Sequence, residues 1–403
     1  MTAEVSVINR QGVAIAADSA VTIGNNKTYY TQQKIFNLSK RHSVGIMVFG
    51  NAEFMDINWE IIINEFSKAL GDRVLDTLEE YAKYLLVFLR DFIHLDTYQK
   101  LFLEEISYYF FDAIKDGYNE DISENYKNQE ITKTQQGKIL AGVLKKAREK
   151  LVSDTFSIGF VDDGFVNNNR AIIVKQLEEI FSDFSINDKT KEDMIDLFLL
   201  DIDKLEIGWG WRHNNAGIVF AGYGDKEIFP STIEYVLFGK LGKNILHTKY
   251  NITDVTNESS SCITPYSQHN VISSFIRGMD PEFRDMIDYE LDMLIEKLAG
   301  ITGKKYSEEI SLSIKELKGK IQSFQDENYK DPVLSIVDSL PKSDLAEMAE
   351  ALVNITALRQ HVSTEQETVG GPTDVALITK TDGFVWIKKK QVFHSIEDKG
   401  LNP

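Results

Sequence analysis

The sequence predicts an α+β fold in which helices cover antiparallel sheets. Strand-like segments cluster at the start, the middle and the end of the chain. Segments of helical period fill the intervals between them. The first strands are joined in pairs by short turns, as in hairpins.

The elements follow in order. Glu4 to Ile8 alternates polar and apolar, with Val5 and Val7 on one face, which predicts a half-buried strand. Gly12 turns the chain, and the apolar run Val13 to Ala17 is a buried second strand ending at Asp18. Gly24-Asn25-Asn26 is a turn. Lys34 to Leu38 and Val44 to Phe49 are two further strands across the polar turn Ser39 to Ser43, closed by Gly50-Asn51-Ala52-Glu53.

Helical spacing then begins, in Phe54, Ile57, Ile61 and Phe66, and continues in Leu75, Leu78, Ala82, Leu85, Leu89 and Phe92. Leu101 to Ile114, Ile139 to Leu151, Ile172 to Phe184 and Lys191 to Leu200 read as helices. Lys115 to Thr134 reads as a polar loop and Phe156 to Phe160 as a strand. Strands return at Ala216 to Gly222 and Thr232 to Gly239, and Asp254 to Ser261 is loop-like. Helices follow at Val271 to Phe275, Phe283 to Leu298 and Ile310 to Phe324, and one begins at Ser343 with capping-type chemistry. Its apolar stripe is Leu345, Met348, Leu352 and Ile355. The last strands are Thr373 to Thr379 and Phe384 to Lys388, around the turn Asp382-Gly383.

Composition narrows the function. The chain has 403 residues, 43% of them hydrophobic, enough for a sizeable core. Its 62 acidic residues against 44 basic give a net charge of -18, which repels phosphate backbones and anionic membranes, so neither is an expected partner. Cys262 is the single cysteine, so no internal disulfide forms. No apolar stretch reaches the roughly 18 residues of a membrane span, and Met1 to Gly12 carries no apolar signal region. A cytoplasmic protein is expected. The seven histidines show no metal-binding spacing, and neither a Walker loop nor GxGxxG is present, so no metal or cofactor is expected. Gly208-Trp209-Gly210-Trp211 and the aromatics Tyr108 to Phe111 read as packing or interface.

The chemistry concentrates at the amino terminus. If Met1 is removed, Thr2 carries a nucleophilic hydroxyl and a base in one residue. A free α-amino group titrates near about 8, so part of it is neutral at pH 7. Such a threonine needs a cation nearby and a carboxylate to hold that cation. Lys34 and Asp18 are of the right type. Gly50, at the end of an apolar strand, offers an unobstructed backbone N–H to an oxyanion.

In this order Thr2, Val5-Ser6-Val7, Val13 to Asp18, Thr22-Ile23-Gly24 and Lys34 resemble the N-terminal nucleophile hydrolases of the proteasome β-subunit type. They are similar in particular to the bacterial two-component, ATP-dependent relative of the proteasome. Ala216 to Gly224 and Gly370-Gly371, Val375 to Thr379 and Asp382-Gly383 are similar to the family's central and final strands. The resemblance implies a four-layer αββα sandwich formed by residues 1–73, 204–280 and 343–403, with helical insertions at 74–203 and 281–342. It implies Thr2, Asp18 and Lys34 as catalytic residues and Gly50 as oxyanion donor. Gly370 and Gly371 would support the site. Val369 and Gln366 stand where the family has a serine and an aspartate, and Ser267 is the counterpart offered for another family serine. A peptide or protein substrate, a homo-oligomer and a separate ATP-dependent unfoldase are implied as partners. Three readings are open: a threonine hydrolase cutting peptide or amide bonds, a non-catalytic structural or sensing subunit, and a transferase or amidase variant using the same acyl-enzyme on a non-protein substrate.

Overall fold

The computed structural model describes residues 2–23, 27–39, 41–93, 96–126, 131–153, 159, 161–204, 215–256, 259–302, 304–363 and 368–390. The chain opens with β1 (Ala3–Asn9), β2 (Gly12–Ala17), β3 (Val21–Ile23), β4 (Lys27–Tyr29), β5 (Ile35–Asn37), β6 (Val44–Gly50), β7 (Glu53–Phe54) and β8 (Ile57–Asn58). Helices α1 (Trp59–Leu70), α2 (Leu78–Phe92), α3 (Asp96–Asn125), α4 (Lys133–Ser153), α5 (Asp163–Ile180) and α6 (Asp188–Lys204) follow. Then come β9 (Ala216–Gly222), β10 (Ser231–Leu241), β11 (Asn244–Asp254) and β12 (Ser261–Ser267). The chain continues with α7 (Asn270–Arg277), α8 (Pro281–Thr302), α9 (Lys304–Gln325), a π-turn at Asp326–Lys330, α10 (Asp331–Ser339), α11 (Lys342–His361), β13 (Asp374–Thr379) and β14 (Gly383–Lys388).

Two antiparallel five-stranded sheets form the centre, in the orders β12-β1-β2-β13-β14 and β11-β10-β9-β6-β5. Alternation along the strands gives each of these two sheets an inner and an outer face, and both faces carry apolar side chains. One face of each meets the other sheet: Ile8, Val13, Ile15 and Ile378 pack with Ile35, Met47, Val219 and Ala221. The opposite face of the first sheet, Val5, Val7, Ala14, Ala16 and Val375, packs with Leu345, Ala346, Ala349 and Val353 of α11. The opposite face of the second sheet, Ile46, Val48, Ile218 and Phe220, packs with α1 and α2 through Trp59, Phe66, Leu78 and Leu85. Helix α2 begins at a capping box between Thr77 and Glu80.

Helices α3 to α6 share a separate core of Phe110, Phe111, Leu140, Leu177 and Phe198, joined to the second sheet through Phe238, Leu241 and Leu246. In the pair α8 and α9, Lys318 Nζ lies 2.8 Å from Asp292 and Arg284 Nη1 donates to Gln325 at 2.9 Å. Helix α10 reaches the first sheet, where Asn9 Nδ2 donates to the Val337 carbonyl at 2.9 Å.

Several expectations are corrected. Strand β1 is buried along its whole length, because α11 covers one face and the second sheet covers the other. The expected loop after Ile114 is mostly helix: α3 runs on to Asn125 and α4 starts at Lys133, their polar residues facing solvent. Ile61 and Ile355 are exposed, so the inward stripes run through Trp59, Ile62 and Phe66 on α1 and through Leu345, Ala349 and Leu352 on α11. Helix α11 has Pro341 at its N-cap and no side-chain cap, and Ser343 bonds Asp344 instead. Strands β11 and β12 extend the two sheets beyond the strands expected. The strand expected at Phe156 to Phe160 and the aromatic stretch Gly208 to Trp211 lie outside the described residues, apart from Gly159.

Gly222 ends β9 with φ +132, and a Cβ there would stand 2.0 Å from the Ser43 carbonyl oxygen. Gly222→Ala is therefore expected to destabilise the chain by about 3 kcal/mol. Gly142→Ala, in helix α4 with no atom near its Cβ position, should stabilise it by about 0.5–1 kcal/mol. Urea unfolding of the two variants checks both signs.

Candidate active site

The site is built where β1 begins and β2 ends. The antiparallel register pairs Glu4 with Ala17, which sets Asp18 opposite Ala3. The two chains then exchange bonds: Asp18 N donates to the Ala3 carbonyl at 3.1 Å and Ala3 N donates to Asp18 Oδ1 at 3.0 Å. Asp18 Oδ2 accepts from Ala20 N at 3.2 Å and from Gly370 N at 2.9 Å. Lys34, immediately before β5, holds β6 through a bond from Val48 N to its carbonyl at 2.9 Å. Its ammonium pairs with Asp18 Oδ1 inside the protein. Thr2, 6% exposed, precedes β1, and its carbonyl accepts from Gln268 N at 3.3 Å.

A residue not singled out in the sequence completes this group. Glu4 Oε2 accepts the Thr2 hydroxyl at 3.0 Å, and Glu4 Oε1 lies 3.1 Å from Lys34 Nζ. Thr2, Glu4 and Ser6 share a face of β1 by strand alternation, so the signal was present: a carboxylate two residues from the candidate nucleophile. Burial pushes the Glu4 carboxyl up to about 7, against the pull of the Lys34 ammonium and with a further push from Asp18.

Thr2, Lys34, Phe49 and Gly50 line a cavity of about 20 Å³, room for roughly one water. Gly50 has φ +79, and a Cβ there would stand 2.9 Å from the Asn215 carbonyl. Gly371 has φ +78 and lies against Tyr30, where a Cβ would come within 2.8 Å. Ser267 ends β12 opposite Ala3 with φ +55, beside Thr2, and lines a larger cavity of about 540 Å³ with His269, Asp280, Glu282 and Arg359. Val369 is sealed in the apolar layer under α11, while Gln366 lies outside the described residues. Thr2, Asp18, Lys34, Gly50 and Gly370 are thus brought together, with Ser267 at the edge.

A second buried ion pair stands behind the first. Lys390 Nζ lies 2.6 Å from Asp374 Oδ2 and donates to the carbonyl of Gln32, another residue of the small cavity, at 2.7 Å. Burial pulls the Lys390 ammonium below its usual range, and Asp374 opposes this. Among the described residues no cluster of three or more His, Cys, Asp or Glu side chains is placed to hold a metal. No helix among them is long and apolar enough to cross a membrane.

The chain matches no protein-family model and no curated protein sequence. Similar solved structures include a Gly-1 mutant of Anbu from Hyphomicrobium sp. strain MC1, at 10% identity and TM-score 0.29, covering 97% of this chain and 86% of that one. Anbu from the same strain gives 9% identity and TM-score 0.28, covering 96% and 86%. Anbu, described as an ancestral beta-subunit, from Yersinia bercovieri gives 9% and 0.28, covering 96% and 87%.

Asp18→Ala removes the acceptor of three backbone N–H groups and one partner of a buried ammonium. It is expected to cost about 3–5 kcal/mol in chemical denaturation. Glu4 makes stability depend on pH. Its folded-state pKa is raised, so its stabilising contribution is full below the unfolded pKa and is lost as pH rises through about 7. The thermal midpoint of Glu4→Gln, relative to the unmodified chain, should therefore be higher at pH 8 than at pH 5.

Proposed function

We propose that the chain is a threonine-type N-terminal nucleophile hydrolase that cleaves peptide or amide bonds after Met1 is removed. The observation that carries this reading is the convergence on one buried point of Thr2, Asp18 and Lys34, the three residues that the resemblance implies as catalytic. In this reading Thr2 Oγ1 attacks the substrate carbonyl and forms an ester acyl-enzyme, which water then hydrolyses. The freed α-amino group is the base assigned by the sequence pattern. Asp18 orients Lys34, and the ammonium lowers the cost of negative charge on Oγ1. Gly50 offers its amide to the oxyanion, and the small cavity in front of Thr2 has room for the hydrolytic water.

The packing order helix, sheet, sheet, helix supports reading the centre as the four-layer αββα sandwich of proteasome β-type subunits. Helices α3 to α6 and α8 to α10 are then additions to that core. Assembly into a homo-oligomer and service to a separate ATP-dependent unfoldase belong to the same proposal. One observation favours the non-catalytic alternative: Val369 is locked in an apolar layer, so the position where the resembled family has a serine supplies no hydroxyl.

Intact mass and labelling separate the two. A hydrolase should lack Met1 and take up one N-terminal-threonine-directed β-lactone at Thr2. Thr2→Ala should abolish uptake, and Lys34→Ala should slow it by about 100-fold. A folded chain that retains Met1, or that never labels at Thr2, would falsify the hydrolase reading.

A further inference from the structure

Two carboxylates face one ammonium in this site, and their surroundings differ. Asp18 accepts from the backbone N–H groups of Ala3, Ala20 and Gly370 as well as pairing with Lys34. Glu4, fully buried, has the Lys34 ammonium on one oxygen and the Thr2 hydroxyl on the other. Asp18 is thus tied to the fold on every side, whereas Glu4 is the carboxylate in contact with the candidate reacting atom. A base must stand within hydrogen-bond reach of the proton it takes, and Glu4 Oε2, 3.0 Å from Thr2 Oγ1, does so. Carboxylates set side by side in unlike surroundings commonly divide the acid–base and electrostatic roles of a site.

We propose that Glu4 is a catalytic residue that takes the hydroxyl proton of Thr2 as Oγ1 attacks the substrate carbonyl. The inference rests on Thr2 being the nucleophile, and it moves the base from the α-amino group to a side chain. As the Oγ1–C bond forms, the carbonyl π pair moves onto oxygen and the Oγ1 proton passes to Glu4 Oε2. Collapse of the tetrahedral intermediate restores the carbonyl and breaks the C–N bond, and the proton goes from Glu4 to the leaving nitrogen. In deacylation water attacks the ester and gives a proton to Glu4, which returns it to Oγ1 as the threonine departs. Lys34 stays protonated throughout, opposed by Asp18.

The charges that face Glu4 are Lys34 and Asp18, joined by the Thr2 α-amino group once Met1 is removed, and the Lys390–Asp374 pair lies behind them. The carboxyl sits near 7, whereas a free α-amino group titrates near about 8. The two bases therefore predict different pH profiles.

The test is acylation of the full-length chain by a β-lactone, followed by intact mass from pH 5.5 to 9. The unmodified chain should react along a rising limb centred near 7. Glu4→Gln should react about 100-fold more slowly, with the limb moved toward 8. A Glu4→Gln rate within about threefold of the unmodified chain overturns the proposal. So does a slower rate on an unmoved limb, which marks a structural role. If Glu4→Gln does not fold, Glu4→Asp decides. It keeps a charge for Lys34 and draws the carboxylate away from Oγ1, so a loss of about 10-fold at an unchanged melting temperature supports the assignment, and an unchanged rate overturns it. Should the unmodified chain take no label at Thr2, the nucleophile reading falls and this one with it. Labelling of Thr2 that keeps its rate to within about threefold without Glu4 sinks the present proposal alone.

Discussion

The arrangement depends on the satisfaction of one buried carboxylate. Asp18 is 1% exposed, and a carboxylate taken from water is tolerated only when donors replace the water. Its donors come from stretches far apart in sequence: the start of β1, the turn after β2, the segment before β5 and the glycine pair before β13. Meeting that requirement fixes the register of three neighbouring strands at one end of the first sheet. It also holds Lys34 inside, where its ammonium pairs with Asp18. The candidate nucleophile is positioned as a consequence, since Thr2 is bonded to the chain that Asp18 holds.

The layers allow this by keeping the outer contacts thin. Ala14 and Ala16 on the strands meet Ala346 and Ala349 on α11, so the helix lies close to the sheet. The face opposite, where Glu4 and Ser6 are fully buried, meets the second sheet. Ser6 is satisfied by the Tyr266 hydroxyl at 3.0 Å, and burial holds that phenol above its usual range. The polar face of β1 is therefore an interior polar seam between two sheets, in which each group has a named partner. In such low-dielectric surroundings a charge acts on its neighbours more strongly than at the surface.

Much of this was legible in the sequence. The α+β order, the strands around Thr2 and Asp18, and the helices α2 and α5 to α9 follow from periodicity and turn residues. The grouping of Thr2, Asp18, Lys34 and Gly50 was offered by residue type together with the family resemblance. What escaped has physical causes. Strand alternation reports two unlike faces, and it does not say whether the polar face meets solvent or a second sheet, so Glu4 read as a surface residue. Strand β12 contains Pro265, which interrupts a strand signal and is tolerated because β12 lies at the sheet edge, paired only with β1. Strand β11 is the other sheet's edge and is largely polar, with His247, Lys249 and Asn251 at alternate positions. The polar end of α3 has no apolar stripe beyond Tyr118 and Ile122, so its helix is carried by continuity with the buried turns before it.

The distribution of polar support in the site is the last point the packing decides. In the resembled family a serine near the paired glycines helps the threonine. Here that position, Val369, faces α11 and lies in the same apolar layer as Leu352 and Val353. A hydroxyl there would be buried among hydrocarbon with no partner, at a cost of about 1–3 kcal/mol. Support from the glycine side is therefore reduced to the backbone, through Gly370 N–H on Asp18. The side-chain support lies instead on β1, in Glu4, and behind it in the Asp374–Lys390 pair that braces Gln32. A polar group on β1 is held by a strand bonded on both sides, to β2 and to β12. Such a group is fixed more rigidly than one on a loop, and that rigidity keeps the Glu4 carboxylate directed at a hydroxyl only two residues away.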